Sequence, residues 1–270
     1  AGLLAALEGI THGPVTGFHT PRRTADRVEG VAPARPLVER LLTGPPAERA
    51  FADGQPTAVA VGFAKGRGVD VSALEVVDGP KGPVVALRIQ EGGEPTRDTL
   101  AAALPGIILG IPFAKSMEWG SGGLRFGRPL HRVNALFGGE VLPGAVAGIA
   151  FGATTEGHRL ADDRVFSFTH AEAWLEGLRA RFVEPDVAVR EARVRSELLA
   201  ALEALNADPL VDEELLTEVS RLVEWPVGVA GTFDESLMQL PPKLLVESMK
   251  VHQRYFPVFR DGELTHRFVV

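Results

Sequence analysis

The sequence predicts an α+β protein, and three observations carry that prediction. Up to about residue 155, short apolar runs alternate with polar residues and are separated by Gly and Pro, the pattern of strands and tight turns. From His170 onward, apolar residues recur at i, i+4 spacing, the pattern of packed helices. The last sixteen residues read as one hairpin around Asp261-Gly262. Two modules are expected: an α/β N-terminal module over 1–155, built on mixed antiparallel sheets, and an incomplete, helix-rich α+β module over 156–270.

Taken in order, Leu3, Leu4 and Leu7 put an apolar stripe on a first helix that Gly13-Pro14 ends. Val15 to His19 and Ala25 to Val31 are strands, joined by Thr20-Pro21-Arg22-Arg23. Pro33 to Gly54 is rich in Pro and charge and reads as loop with short helices. Pro56 to Gly68 reads as a helix ending in glycines, with Lys65 and Arg67 as solvated charges at its C-terminal end, where they suit the dipole. Ala73 to Val77 and Val84 to Gln90 form a hairpin, with Val85, Leu87 and Ile89 on one face. Thr96 to Ile108 is a helix that Pro105 ends or kinks. After a loop at Gly120 to Gly123, Val133, Ala135 and Phe137 alternate with polar residues, Gly138-Gly139 turns the chain, and Val141 to Ile149 returns.

Three helices follow, marked by Trp174, Leu178 and Phe182, by Val194, Leu198, Leu202 and Leu205, and by Leu215, Val219 and Leu222. Such stripes are packing surfaces. Pro241-Pro242 opens a last helix through Met249, as prolines can in a first turn. Tyr255 to Phe259 and Leu264 to Val270 form the closing hairpin, in which Pro257 suits an edge strand.

Composition narrows the function classes. The chain of 270 residues is 45% hydrophobic and 23% charged, enough apolar content for a real core. It has no Cys, which excludes disulfides and thiolate metal sites and fits a reducing compartment. The most apolar run, Leu100 to Ala114, is broken by Pro105, Gly106, Gly110 and Pro112 and is too short to span a bilayer. The opening AGLLAALEGITHG lacks a Met and a basic region, so it is not read as a signal peptide; both ends read as cut, and a fragment of a longer protein is expected.

The net charge of −7 makes one stretch stand out. Between Phe113 and Asn134 lie Lys115, Arg125, Arg128 and Arg132, with His131 beside them, Glu118 as the only acid, and Phe113, Trp119 and Phe126 interleaved. Two readings stay open. The arginines tie loops to carboxylates elsewhere, or they form a surface for a polyanion, with guanidinium groups on phosphate oxygens and aromatics against bases. Two further constellations carry the same ambiguity: Glu156-Gly157-His158-Arg159, and Lys250-Val251-His252-Gln253-Arg254-Tyr255-Phe256.

Self-sufficient catalytic chemistry is missing from the pattern. The seven histidines form no tight metal-ligand pair, and there is no nucleophile elbow. GFAKGRG lacks the spacing of a P-loop, and the Gly-rich SGG does not open a helix. No catalytic residue and no metal site is expected.

Seven blocks, in order, resemble the β subunit of bacterial heterotetrameric glycyl-tRNA synthetase: TPRR (20–23), GFAKGRGVD (62–70), IPFAKSMEWG (111–120), LRFGRPLHRVNALFG (124–138), TEGHR (155–159), LVEWPV (222–227) and SMKVHQRYFPVF (248–259). The blocks cover nearly the whole chain, whereas the family's subunit is much longer. Its usual EIGTEELP-like first strand is absent here, as are the later phosphohydrolase-like and anticodon-binding regions.

The resemblance implies a tRNA-binding and assembly portion of a glycine–tRNA ligase, partnered by glycine tRNA and by the α subunit of a heterotetramer. Adenylation with ATP would lie in the α subunit, so no cofactor is expected in this chain. It also implies a cytoplasmic protein with no membrane partner, and a second module similar to the editing region of phenylalanyl-tRNA synthetase. RNA-binding candidates on this view are Arg22, Arg23, Lys115, Arg125, Arg128, Arg132, His158, Arg159, Lys250, His252 and Arg254. Two other readings remain beside it: a hydrolase that deacylates tRNA through Glu156, His158 or His252, and a pure scaffold whose arginines pair internally.

Overall fold

A computed structural model describes residues 2–80, 82–120 and 123–270. It is a mixed α+β structure with several small, mainly antiparallel sheets and eight α-helical segments among the described residues. The chain divides into two compact units interleaved in sequence: residues 1–12 with 30–104, and residues 13–29 with 105–270.

The first unit is built on a three-stranded antiparallel sheet in which Gly82–Glu91 lies between Val38–Pro46 and Leu74–Gly79. The hairpin expected from Ala73 to Gln90 is present, although Lys81 in its turn lies outside the described residues. Val85, Ala86 and Leu87 are all buried, so the central strand is covered on both faces. Ala50 and Ala60 pack on Val85, with Phe51, Phe63 and Leu74 around them.

The strand Val38–Pro46 replaces the loop expected over Pro33 to Gly54. Its burial pattern shows little alternation, and Val38 and Leu41 are exposed, so the chain gives no period-2 signal there. Backbone pairing to Gly82–Glu91 forms it instead. The helices Ala58–Lys65 and Thr96–Leu109 lie where expected; Thr57 caps the first, and Pro105 sits inside the second without ending it.

In the second unit, Val15–Thr20 pairs with Arg23–Val28 around the Pro21-Arg22 turn. The hairpin expected between Val133 and Ile149 turns at Gly138-Gly139 as expected, but it is short and joined by two further small ladders. Leu136–Phe137 turns tightly onto Glu140–Val141, Ala145–Val146 turns onto Ile149–Gly152, and Val133–Asn134 runs parallel to Phe151–Gly152. Gly144 (φ 148°) and the Ala147-Gly148 turn (φ 49° and 81°) break the return strand into pieces. Two short hairpins not anticipated are Met117–Trp119 with Leu124–Phe126, and Thr154–Glu156 with Val165–Ser167. Ser121 and Gly122 of the Gly-rich loop lie outside the described residues.

Helices Ala171–Arg179, Val187–Ala204 and Glu213–Ser220 confirm the three stripes, each entered through a side-chain cap from His170, Asp186 and Asp212. Val194, Leu198 and Leu202 pack with Leu215, Leu216, Phe256, Val258 and Val269 into one core. Phe182 and Leu222 depart from expectation: both lie past the ends of their helices and are exposed.

The closing hairpin Phe256–Arg260 with Glu263–Val269 gains a third strand, Ala230–Thr232, so Phe256–Arg260 is an edge and Pro257 sits on it. The helix Pro242–Glu247 continues as a π-helical turn over Ser248–Gln253. Among the described residues, no helix is long and apolar enough to cross a membrane.

Candidate nucleic-acid interface

The expected basic residues fall into two sets, tethered and open. Arg23 is tethered most firmly. Its Nη1 donates to Glu224, and its Nη2 donates to the carbonyls of Glu156 (2.8 Å) and Gly157 (3.2 Å). Glu224 also accepts from Thr20 Oγ1 at 2.7 Å, and its side chain is only 7% exposed. Three of the family-like blocks, TPRR, TEGHR and LVEWPV, therefore meet at one guanidinium. Gly157 is required there, because a Cβ would lie 2.2 Å from Arg181 Cβ and 2.9 Å from Arg181 O.

A second guanidinium holds the neighbouring chain ends. Arg190 is fully buried and donates to three carbonyls, those of Ser220 (2.6 Å), Glu184 (2.7 Å) and His19 (3.0 Å). Burial pushes its pKa down, opposed by Glu184 and other carboxylates nearby. Glu184 in turn takes a two-pronged bond from Arg179 at 2.8 and 3.1 Å. Arg23 and Arg190 act as staples for backbone carbonyls.

Glu156 also holds Arg132 at 2.5 Å and Arg164 at 3.8 Å. His158 Nδ1 accepts from Leu160 N at 3.3 Å, and His158 N donates to Arg181 O at 2.8 Å. Of the three residues offered for a hydrolytic role, Glu156 is occupied by cations and His158 by its own turn.

The third constellation is tethered at both ends. Lys250 pairs with Asp212, and Arg254 donates to Glu218 (2.6 Å) and to Lys250 O (3.1 Å). The Asp212 carboxyl is held below its usual range, first by the N–H of Leu215 and then by Lys250. Arg254 has φ 61° and closes the π-turn, with Tyr255 N donating to Met249 O at 2.9 Å. His252 is exposed beside them.

The open set is Arg22, Lys115, Arg125, Arg128 and Arg159. All are exposed, and among the described residues none has a carboxylate within ion-pair distance. The Arg22 side chain projects from a turn fixed by its own N–H to Thr20 Oγ1, at 3.1 Å. Lys115, Arg125 and Arg128 share one small loop-and-hairpin segment: Phe113 packs edge-on against Phe126 (4.6 Å between centroids), and Trp119 Nε1 donates to Phe126 O at 2.9 Å. Arg125 faces Glu118 across the hairpin but does not bond to it. Among the described residues, no hydrogen bond or ion pair joins this segment to the Arg23 cluster or to the Lys250 turn, and no group of three or more His, Asp or Glu is placed to hold a metal.

The family model for the glycyl-tRNA synthetase beta subunit matches residues 3–270. The chain belongs to that family. It is 40% identical over 253 residues to the glycine–tRNA ligase beta subunit of Chromohalobacter salexigens, covering 93% of this chain and 37% of that protein. The beta subunits of Geobacter sulfurreducens and Geobacter metallireducens are 39% and 40% identical over 262 residues, covering 96% of this chain and 38% of theirs. The chain thus spans a little over a third of the length of these glycine–tRNA ligase beta subunits.

Residue type alone did not separate tethered from open arginines in this family member. The carboxylate that decides Arg23 lies 201 positions away. The one signal in the sequence was Glu224 itself, an acidic residue inside the apolar run LVEWPV.

Proposed function

We propose that this chain is the tRNA-contacting and assembly portion of the β subunit of a cytoplasmic glycine–tRNA ligase. Glycine is activated with ATP in the partner α subunit of a heterotetramer; the present chain contributes no catalytic residue and no cofactor, and meets no membrane. Its segment 156–270 is a module similar to the editing region of phenylalanyl-tRNA synthetase, retained for its binding surface.

The observation that supports this reading is the open set. In a chain of net charge −7 with its other cations largely tied to carboxylates or carbonyls, Arg22, Lys115, Arg125, Arg128 and Arg159 keep their charge uncovered. Open guanidinium groups on an otherwise acidic protein suit phosphate oxygens, and a local patch is enough to steer a polyanion. Arg23, Arg132, Lys250 and Arg254 act differently: they shape the loops that carry the open set or lie beside it. His158 and His252 supply neutral polar groups on the same loops.

The test is tRNA binding by the complete ligase as a function of salt. Replacing Arg125 and Arg128 together with Ala should weaken binding and flatten the slope of log K against log salt by roughly 0.7–0.9 for each phosphate no longer neutralised. An unchanged slope in a folded double variant removes these two residues from the interface.

A further inference from the structure

Phe182 occupies a backbone position that the rest of the chain gives to other residues. Three helices close with the same signature, in which an N–H reaches back five residues to a carbonyl and the residue before it is left-handed. At the end of Ala58–Lys65 the bond is Val69 N to Ala64 O, and the left-handed residue is Gly68 (φ 69°). At the end of Val187–Ala204 it is Ala207 N to Leu202 O, and the residue is Asn206 (φ 51°). At the end of Ala171–Arg179 it is Val183 N to Leu178 O, and the residue is Phe182 (φ 58°). Gly and Asn tolerate this conformation; a bulky aromatic there is an outlier.

The ring also stays uncovered. Phe182 is 50% exposed, so the strained backbone is not offset by burial. Among the described residues its aromatic neighbour is Trp225, edge-on at 5.7 Å and 78°. Arg193 lies over the Trp225 ring at 3.7 Å and is fixed there by Pro226 O (3.0 Å). Strain and exposure together at one residue point to a surface held ready for a ligand.

Charge indicates which ligand. Arg181 O, one residue before Phe182, accepts from His158 N at 2.8 Å, and the residue after His158 is the open Arg159. The carbonyl of Gly157 binds Arg23, whose neighbour is the open Arg22. Five of the acids near this loop are engaged: Glu156 by Arg132, Glu224 by Arg23, Glu184 by Arg179, Glu197 by Arg193 and Asp163 by Arg181, while Asp162 is exposed on the loop that carries Arg159. An exposed ring on a loop bonded to the segment that carries Arg159, itself bonded to the turn that carries Arg22, suits an unpaired nucleotide, with the base on the ring and the phosphate on arginine. An apolar peptide would gain nothing from Arg22 and Arg159.

We propose that Phe182, backed by Trp225 and carried on a loop linked to the segments of Arg159 and Arg22, is a stacking platform for an unpaired base of the bound RNA. This rests on the tRNA-binding reading and names one point of attachment within it.

The test replaces Phe182 with Gly and with Trp in the complete ligase and measures unfolding midpoint and affinity for glycine tRNA transcript. Phe182→Gly relieves the backbone, so the unfolding midpoint should hold or rise while tRNA affinity falls roughly ten-fold. Phe182→Trp should keep the affinity. Parent-like affinity in Phe182→Gly overturns the platform, as does a loss that comes only with a lower midpoint. Loss of α-subunit association on size exclusion, with tRNA affinity kept, assigns the ring to a protein partner and also overturns it. The Arg125/Arg128 double variant run in parallel separates the two claims. If it weakens tRNA binding and Phe182→Gly does not, only the platform fails; if neither does, the tRNA reading fails with it.

Discussion

Arg23 and Glu224 are joined by an ion pair across 201 residues of sequence, with side chains 17% and 7% exposed. The pair ties the Pro21-Arg22 turn to the segment after the helix Glu213–Ser220, and the same guanidinium takes the carbonyls of Glu156 and Gly157. Removing one partner leaves the other charged and nearly dry. Glu224→Ala should therefore destabilise by about 3 kcal/mol. A double-mutant cycle with Arg23→Ala, read by urea denaturation, should show strong coupling; additive losses would mean that the two residues act separately.

The neighbouring loop is constrained by shape rather than charge. A Cβ on residue 157 meets Arg181 Cβ and O at distances no side chain adopts. Gly157→Ala should destabilise by about 1–3 kcal/mol through backbone displacement. The His158 N to Arg181 O bond sits beside this close approach, so the amide of His158 should lose protection from hydrogen exchange in the variant.

Leu198 is 2% exposed and sits in the core formed with Leu215, Leu216, Phe256, Val258 and Val269. Leu198→Ala should cost about 2–5 kcal/mol. Leu199, its neighbour on the long helix, is exposed, and Leu199→Ala should lie within about 0.5 kcal/mol of the parent.

Arg254 combines an exposed ion pair with a left-handed backbone. Arg254→Gly loses the bonds to Glu218 and to Lys250 O but relieves the backbone; the loss and the relief are each about 1 kcal/mol and they oppose one another. The urea midpoint should barely move. Arg254→Ala loses the bonds and keeps the strain, so it should be the less stable of the two.

Acid should act through Asp212. Its folded-state pKa lies below the ordinary aspartate value, chiefly through Leu215 N and then Lys250. A depressed carboxylate stabilises the fold above its unfolded pKa, and that contribution is lost as pH falls through the lower folded value. Between neutral pH and about 5 this group should leave stability flat. Below about 4, stability should drop, and the drop should be smaller in Asp212→Asn, which still caps the helix but has no charge to lose. An acid limb equally steep in Asp212→Asn would remove this group as a cause.

The helices were legible because burial there is one-sided. Val194, Leu198 and Leu202 repeat at one turn's spacing and face one core. The strand Val38–Pro46 was not legible, since both its faces are largely open and its order comes from backbone bonds to Gly82–Glu91. The basic residues could be counted from sequence but not sorted. Whether an arginine is free depends on which carboxylate the fold carries to it, and Glu224, Glu156 and Glu218 arrive from distant segments. Phe182 read as part of a helical stripe because its spacing from Leu178 is that of a turn. The helix ends first, and the next residues reverse the backbone.

Pro257 lies on the outer strand of the closing sheet, beside an irregularity in the ladder between Pro257 and Phe259. Without an N–H it leaves a gap in that margin's row of donors, and the irregularity twists the margin away from a flat template. A stray extended segment from another molecule therefore finds no continuous ladder to join there. The opposite margin, Ala230–Thr232, offers only three residues. The sheet is in this way guarded against growing into its neighbours, by an imino acid on one flank and by brevity on the other.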